Sequence, residues 1–170
     1  MKNFTRLNNV AGWTVFCIAL ITYISTIEQT ASFWDCGEFI ACAFKLQVPH
    51  PPGAPLFLLI GRIFSLLAFG DLTKVAYWVN MVSVLSSAFT ILFLFWTITL
   101  LARKLILKAG NEYTTAQKII IISSGIAGAL AYAWSDSFWF SAVEAEVYGM
   151  SSFFTAIVIL RSSRCGRCNT

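Results

Sequence analysis

Asp35-Cys36-Gly37-Glu38 puts two carboxylates three residues apart in the sequence. On a helix, positions i and i+3 share a face, so both acids could address one site. Phe33, Trp34 and Phe39 flank them. Apolar neighbours remove water from a carboxylate and raise its pKa toward that of a useful general base. A solvated loop that happens to hold two acids is the plain alternative. The 4 prolines and the 1 histidine of the chain all fall within Val48-Pro49-His50-Pro51-Pro52-Gly53-Ala54-Pro55. Proline fixes φ and removes an N–H donor, and it pushes the residue before it to extended backbone. The stretch therefore reads as a rigid corner that holds His50 on a stiff arm, with Pro55 suited to the first turn of a following helix. A simple helix start is the competing reading.

Three further sets of residues could complete a site. Lys45 and Arg62 are cations near these motifs, and arginine in particular matches phosphate oxygens. Snorkelling of each to lipid headgroups explains them equally well. Glu144-Ala145-Glu146-Val147-Tyr148 carries two more carboxylates that could close the site from an opposite wall, or could simply favour a helix N-terminus. Asp35, Glu38, Glu146 and His50 are all potential oxygen or nitrogen ligands, so a metal is left open. Cys165 and Cys168 form one CxxC, a weak zinc signal without a second pair. The 5 cysteines do not make a disulfide framework.

The elements that must position these residues are membrane helices. Of the 170 residues, 58% are hydrophobic and 12% charged. Soluble domains carry about 25% charged residues. The apolar residues come in long blocks, as integral membrane helices require. The formal net charge of +4 reads as orientation information, and no nucleic-acid partner is expected. Spans are predicted over about 10–27, 75–101, 119–134 and 147–160. The first run is too long for a signal peptide and lacks a good cleavage site. Lys2 and Arg6 set its N-terminus in the cytoplasm by the positive-inside tendency.

The run over 54–69 is short and contains Arg62. If it crossed, the basic loop from Arg103 to Lys118 would lie outside, against the charge rule. It is therefore expected to be an external interfacial or re-entrant helix. Asp35, Glu38, His50, Glu144 and Glu146 then share one membrane face. Gly70-Asp71 reads as a helix stop followed by a cap. The end, residues 161–170, is basic and breaks abruptly from the apolar run before it. It reads as a truncation or frameshift, or else as an ordinary basic cytoplasmic tail.

Three stretches carry a family resemblance: Phe33-Trp34-Asp35-Cys36-Gly37-Glu38, Pro49-His50-Pro51-Pro52-Gly53-Ala54-Pro55-Leu56-Phe57 and Ala142-Val143-Glu144-Ala145-Glu146-Val147-Tyr148. In this order, with the helix pattern over residues 8 to 160, the chain resembles the GT-C membrane glycosyltransferases. It is similar to the protein O-mannosyltransferases, and closer to the O-mannosyltransferase-like family classed as glycosyltransferase family 117. The resemblance implies an all-α integral membrane fold, the N-terminal part of a GT-C multi-span helical bundle with an external interfacial helix, over residues 1–160. It implies a lipid-phosphate-linked sugar (a polyprenyl-phosphate donor), an acceptor protein hydroxyl, and transfer at the external or lumenal face. By resemblance Asp35 is the base and Glu38 second to it, because the classical motif has adjacent Asp-Glu. His50, Lys45, Arg62, Glu144 and Glu146 would bind substrate.

Family members are much longer, so the chain is expected to be an incomplete, N-terminal part of an enzyme. No cofactor beyond the donor is implied for certain, and the metal stays unknown. The membrane is the bacterial cytoplasmic membrane with the site outward, or the ER membrane with the site in the lumen. Two rival readings remain. A non-catalytic scaffold or lipid-binding module would make Asp35 matter only for folding. A transporter fragment would need charges in mid-span, and here they gather at one face.

Overall fold

Apolar residues recur around every side of the segment from Val75 to Ile106, so no single face of it can turn to water. Such a helix belongs at the centre of a bundle. The computed structural model describes residues 2–51, 53–106 and 114–165 and places it there. In chain order the helices are α1 (Lys2–Ser25), α2 (Cys36–Lys45), α3 (Pro55–Ser65), α4 (Val75–Ile106), α5 (Thr115–Ala133), α6 (Asp136–Val143) and α7 (Val147–Cys165). Short 3-10 turns at Leu66–Ala68 and Leu72–Lys74 join α3 to α4. No strand occurs among the described residues. At 32 residues, α4 packs against α1, α5 and α7 along its length and against α2, α3 and α6 near its start.

Three helical segments are long and apolar enough to cross a membrane: Asn3–Ser25, Leu72–Ile106 and Thr115–Ala133. α6 and α7 form a pair bent by 112° at a short break. α3 with its 3-10 turn is apolar but shorter, Pro55–Ala68. Leu7, Val10 and Ile21 of α1, Ile119 and Ile120 of α5, and Phe154 and Val158 of α7 are exposed, an apolar belt suited to lipid.

Close helix contact depends on small residues, as it does in lipid, where apolar surface alone gives helices little reason to associate. A Cβ on Gly125 of α5 would sit 2.5 Å from Thr99 Cγ2 of α4. One on Gly149 of α7 would sit 2.8 Å from Ser87 Oγ and 3.3 Å from the Ser83 carbonyl oxygen.

The bundle has two chemically distinct ends. At one, Lys104 Nζ donates to the Ser163 carbonyl at 2.6 Å and the Arg103 guanidinium lies 5.4 Å from the Phe4 ring centre. The start of α1, the end of α4 and the end of α7 therefore meet there, with Arg6, Arg161 and Arg164 nearby in sequence. At the other end, Tyr23 Oη donates to the Ala133 carbonyl at 2.9 Å, Trp139 Nε1 to Thr26 Oγ1 at 3.0 Å, and Asn80 Nδ2 to the Glu28 carbonyl at 2.8 Å. The described acidic residues, Glu28, Asp35, Glu38, Asp71, Asp136, Glu144 and Glu146, all belong to this second end. Lys108, Glu112 and Cys168 lie outside the described residues, as does Pro52.

The structure adds three features to the sequence reading. Residues 36–45 are helical, and Cys36 and Cys42 are buried in that helix. Residues 136–143 form a further short helix, α6. Helix α7 runs on through Arg161 and Arg164 to Cys165, so the change in composition at 161 is not a break in structure. Each is a case of tertiary packing deciding what local polarity leaves undecided.

Candidate active site

Asp35 is the residue before α2, and Glu38 lies in the first turn of that helix, where a carboxylate suits the helix dipole. The helix ends at Leu46 in the left-handed region, and the chain then turns through the proline-rich corner. Gly53 N–H closes a turn onto the His50 carbonyl at 3.0 Å, with Gly53 at φ +72°, where glycine avoids the Cβ penalty. Pro55 then opens α3, as its fixed φ allows.

This bend carries His50 back over α2. Glu38 clamps it with both oxygens: Oε1 accepts from the His50 backbone N–H at 2.8 Å, and Oε2 lies 2.8 Å from His50 Nδ1. On the other side of the ring, His50 Nε2 is 3.9 Å from Asp35 Oδ2. The imidazole thus stands between two carboxylates. The Phe39 ring, 6.0 Å from it between centres, backs it on the protein side. The three side chains are 39–48% exposed. The hydrogen bond to Glu38, then its charge, raises the pKa of His50 above the ordinary 6.5. The same bond, seen from the other side, lowers that of Glu38 below the usual 4.5. One donor atom from each of Asp35, Glu38 and His50 can be chosen so that all lie within 4.8 Å of one another.

The opposite wall is the break between α6 and α7. Glu144 and Glu146 are buried there, 5% and 8% exposed. The Glu146 backbone is anchored to α4, its N–H donating to Ser83 Oγ at 3.3 Å and its carbonyl accepting from the same hydroxyl at 3.1 Å. Its carboxylate has no hydrogen-bond partner among the described residues. Burial, then the charges of Asp35 and Glu144, push its pKa up, while His50 works the other way. Glu144 Oε2 is likewise buried without a partner.

The two basic residues sit apart from this cluster. Arg62 is half-buried in α3, donates from Nη1 to the Phe44 carbonyl at 2.6 Å and lies over the Phe44 ring at 5.4 Å. It ties α3 to the C-terminal end of α2. Lys45 is exposed in the last turn of α2 and makes no ion pair among the described residues. His50 is the ion-pair partner that Asp35 and Glu38 share.

Sequence reasoning overlooks Asn80 and Ser83. Asn80 fastens the segment after α1 to α4 and meets Cys36 Sγ at 3.8 Å, and Ser83 holds the Glu146 backbone. The signal was present: Asn80, Ser83, Ser87 and Thr90 recur at helical spacing on an otherwise apolar segment, a polar stripe whose partners must be other backbone.

An all-helical membrane bundle bearing these three motifs at its acidic end is an O-mannosyltransferase-like membrane protein. More particularly, residues 35–167 match the family model of the Protein O-mannosyl-transferase TMEM260 N-terminal domain, and the chain belongs to that family. It is 27% identical over 152 residues to Protein O-mannosyl-transferase tmem260 of Dictyostelium discoideum, a match covering 86% of this chain and 16% of that protein. It is 28% identical over 151 residues to Protein O-mannosyl-transferase TMEM260 of Mus musculus, covering 88% of this chain and 19% of that protein. The chain thus spans less than a fifth of the length of either relative. No solved structure matches it.

Proposed function

We propose that the chain is the N-terminal part of a membrane enzyme that transfers a sugar, mannose by likeness to the named relatives, from a lipid-phosphate-linked donor to a serine or threonine hydroxyl of an acceptor protein. The site faces the outside of a bacterial cytoplasmic membrane or the lumen of the ER. The basic end, with Arg6, Arg103 and Lys104, is then cytoplasmic. The four spans and the non-crossing α3 belong to this reading. Its main support is the His50 imidazole held between Asp35 and Glu38 at the acidic end of the bundle.

In this reading Asp35 takes the acceptor hydroxyl proton as that oxygen attacks the anomeric carbon. A new C–O bond forms, the bond from the anomeric carbon to the phosphate oxygen breaks, and the lipid phosphate leaves with the electron pair. Asp35 suits this role because Glu38 is already committed to His50 through both oxygens. Charge that develops on the leaving phosphate needs preorganised positive groups. Lys45 and Arg62, the expected cations, stand apart from the carboxylates, Arg62 bracing α2 through the Phe44 carbonyl. Glu144 and Glu146 line the facing wall.

The test is sugar transfer from a polyprenyl-phosphate mannose by the longer parent protein carrying these residues, with and without Asp35→Asn at matched expression. The expected result is a loss of about 100-fold or more, the lower range for a general base. Equal transfer by the variant removes Asp35 from the role and moves the test to Glu146. No transfer by the parent across a panel of donors leaves a non-catalytic membrane module as the better account.

A further inference from the structure

We propose that the groove between α5 and α7, floored by α4, is the seat of a further transmembrane helix, one that belongs to the longer protein and presents small residues and hydrogen-bond acceptors to it.

The shape is the first argument. α5 and α7 both pack along α4. Between them lies a hollow of about 260 Å3, floored by Thr90 and Thr97 of α4, with Tyr132 of α5 on one side and Ser151, Ser152 and Thr155 of α7 on the other. Thr90 to Thr97 is the middle of the 32 residues of α4, so the hollow lies at mid-depth of the bundle, away from the acidic end. Its volume falls below the roughly 300–1,000 Å3 of small-molecule sites. Ser151 and Thr155 are exposed, so it opens outward. A channel between two helices, open along its length, takes the side-chain ridge of a third.

The chemistry of the lining is the second argument. All six of these side chains end in a hydroxyl group. On the apolar belt, exposed Thr14 of α1 and Ser123 of α5 return their protons to the Val10 and Ile119 carbonyls of their own helices. In the groove Thr90, Thr97 and Thr155 do the same. Tyr132, Ser151 and Ser152 make no hydrogen bond through their hydroxyls among the described residues. One turn before Thr90, on the same face of α4, the Ser87 hydroxyl is fully buried and also has no partner. A lipid chain offers these groups no acceptor, and an unpaired hydroxyl in hydrocarbon costs free energy. A neighbouring helix does offer acceptors, and small and hydroxyl-bearing residues are what helices use to approach one another in lipid.

The third argument is what remains to fill the groove. The matched family model is that of an N-terminal domain, and more than four-fifths of each relative lies outside the matched stretch. Chain that meets lipid at this depth must be helical, because its backbone has no water to bond. A helix in the same polypeptide arrives at a high effective concentration, an advantage that a second copy of this chain lacks. The inference rests on α4, α5 and α7 lying in a membrane, and not on sugar transfer.

The experiment places a photoreactive diazirine amino acid at position 152, in the groove, or at position 158, where Val158 is exposed and faces away from it. Each is made in the 170-residue chain and in the longer parent, both in lipid nanodiscs, and the adducts are mapped by mass spectrometry. An elution volume equal to that of the unmodified protein establishes that each folds. In the parent, position 152 should join peptides from beyond residue 170 severalfold more than position 158 does. In the chain alone both positions should join lipid. Lipid adducts at position 152 of the parent overturn the proposal. So do dimers of the chain joined through position 152, which make a second copy the occupant. So does capture of later peptides at position 158 and not at 152. A second measurement needs no analogue. Ala156 lines the groove, and Ala156→Trp fills it, so the thermal midpoint of the parent should fall. A parent as stable with that tryptophan as without it has nothing seated there, which also overturns the proposal. None of these failures touches the role of Asp35, because no sugar enters the measurement.

Discussion

One wall of the site lies at the surface and satisfies itself; the other is buried and does not. Asp35, Glu38 and His50 are solvated, and each carboxylate has the imidazole as a partner. Glu144 and Glu146 are shielded from water, and Glu146 lies within reach of the charges of Asp35 and Glu144. The difference follows from how each is built. The exposed wall hangs on a short helix and a proline corner, which let side chains adjust to one another. The buried wall is a three-residue break pinned to α4 by Ser83, so its carboxylates go where the backbone sends them. Self-satisfied polar groups favour the free protein, whereas unsatisfied buried ones favour a state with something bound.

The loss of transfer on Asp35→Asn is the largest effect expected, and it concerns the exposed wall alone. Next comes Gly149→Val, which acts only on the buried wall. Its added side chain meets Ser87 Oγ and the Ser83 carbonyl, pushing α7 off α4 at the point that carries Glu146. Overpacking of this kind costs about 1–3 kcal/mol. A fall in the thermal midpoint of the purified chain should report it, with the His50 resonances unmoved. If those resonances shift as far as in Glu38→Gln, the two walls are not separable.

A smaller effect is expected from Glu146→Gln in chelator. An acid whose folded pKa is raised contributes stability below its unfolded value and loses it as pH rises through the folded value. Above its unfolded value Glu146 therefore costs stability, and glutamine should raise the midpoint near neutral pH and not at pH 4. A midpoint lowered at neutral pH means that Glu146 has a partner that compensates it. The smallest effect is on the exposed wall. In chelator the His50 ring should titrate above 6.5, and Glu38→Gln should lower that midpoint further than Asp35→Asn does. With His50 raised and Glu38 lowered, their pairing supports the corner between the two shifted values. It fades as pH rises through that of His50 and as pH falls through that of Glu38. A wild-type midpoint at or below 6.5 removes the pairing in solution.

Much of this was legible beforehand, for definable reasons. Long apolar runs announce α1, α4 and α5, because only a helix satisfies its own backbone in lipid. The charge rule gathers the acids at one face, and in the structure the described acids do lie at one end of the bundle. The turn chemistry of four prolines and Gly53 makes the return of His50 toward Glu38 foreseeable. The role of Arg62 was not: nothing in Gly61-Arg62-Ile63 says that its guanidinium will meet the carbonyl of Phe44. Nor does Asp136 to Val143 show its helix, since eight residues of mixed polarity leave the choice to packing against α4 and α1. The burial of Glu144 and Glu146 runs against their own polarity and comes from the bend between α6 and α7.

Trp34 sits at φ +72° with its side chain 89% exposed, immediately before Asp35. A bulky residue in the left-handed region costs on the order of 1–3 kcal/mol, and glycine would be free of that cost. Trp34 buries too little to repay it. The fold thus forgoes stability at the peptide that leads into Asp35. On the proposed reading of Asp35 as the base, selection for robustness alone would erase this tryptophan and selection for transfer would keep it. Thermal tolerance and that proposed chemistry then pull in opposite directions at a single dihedral angle.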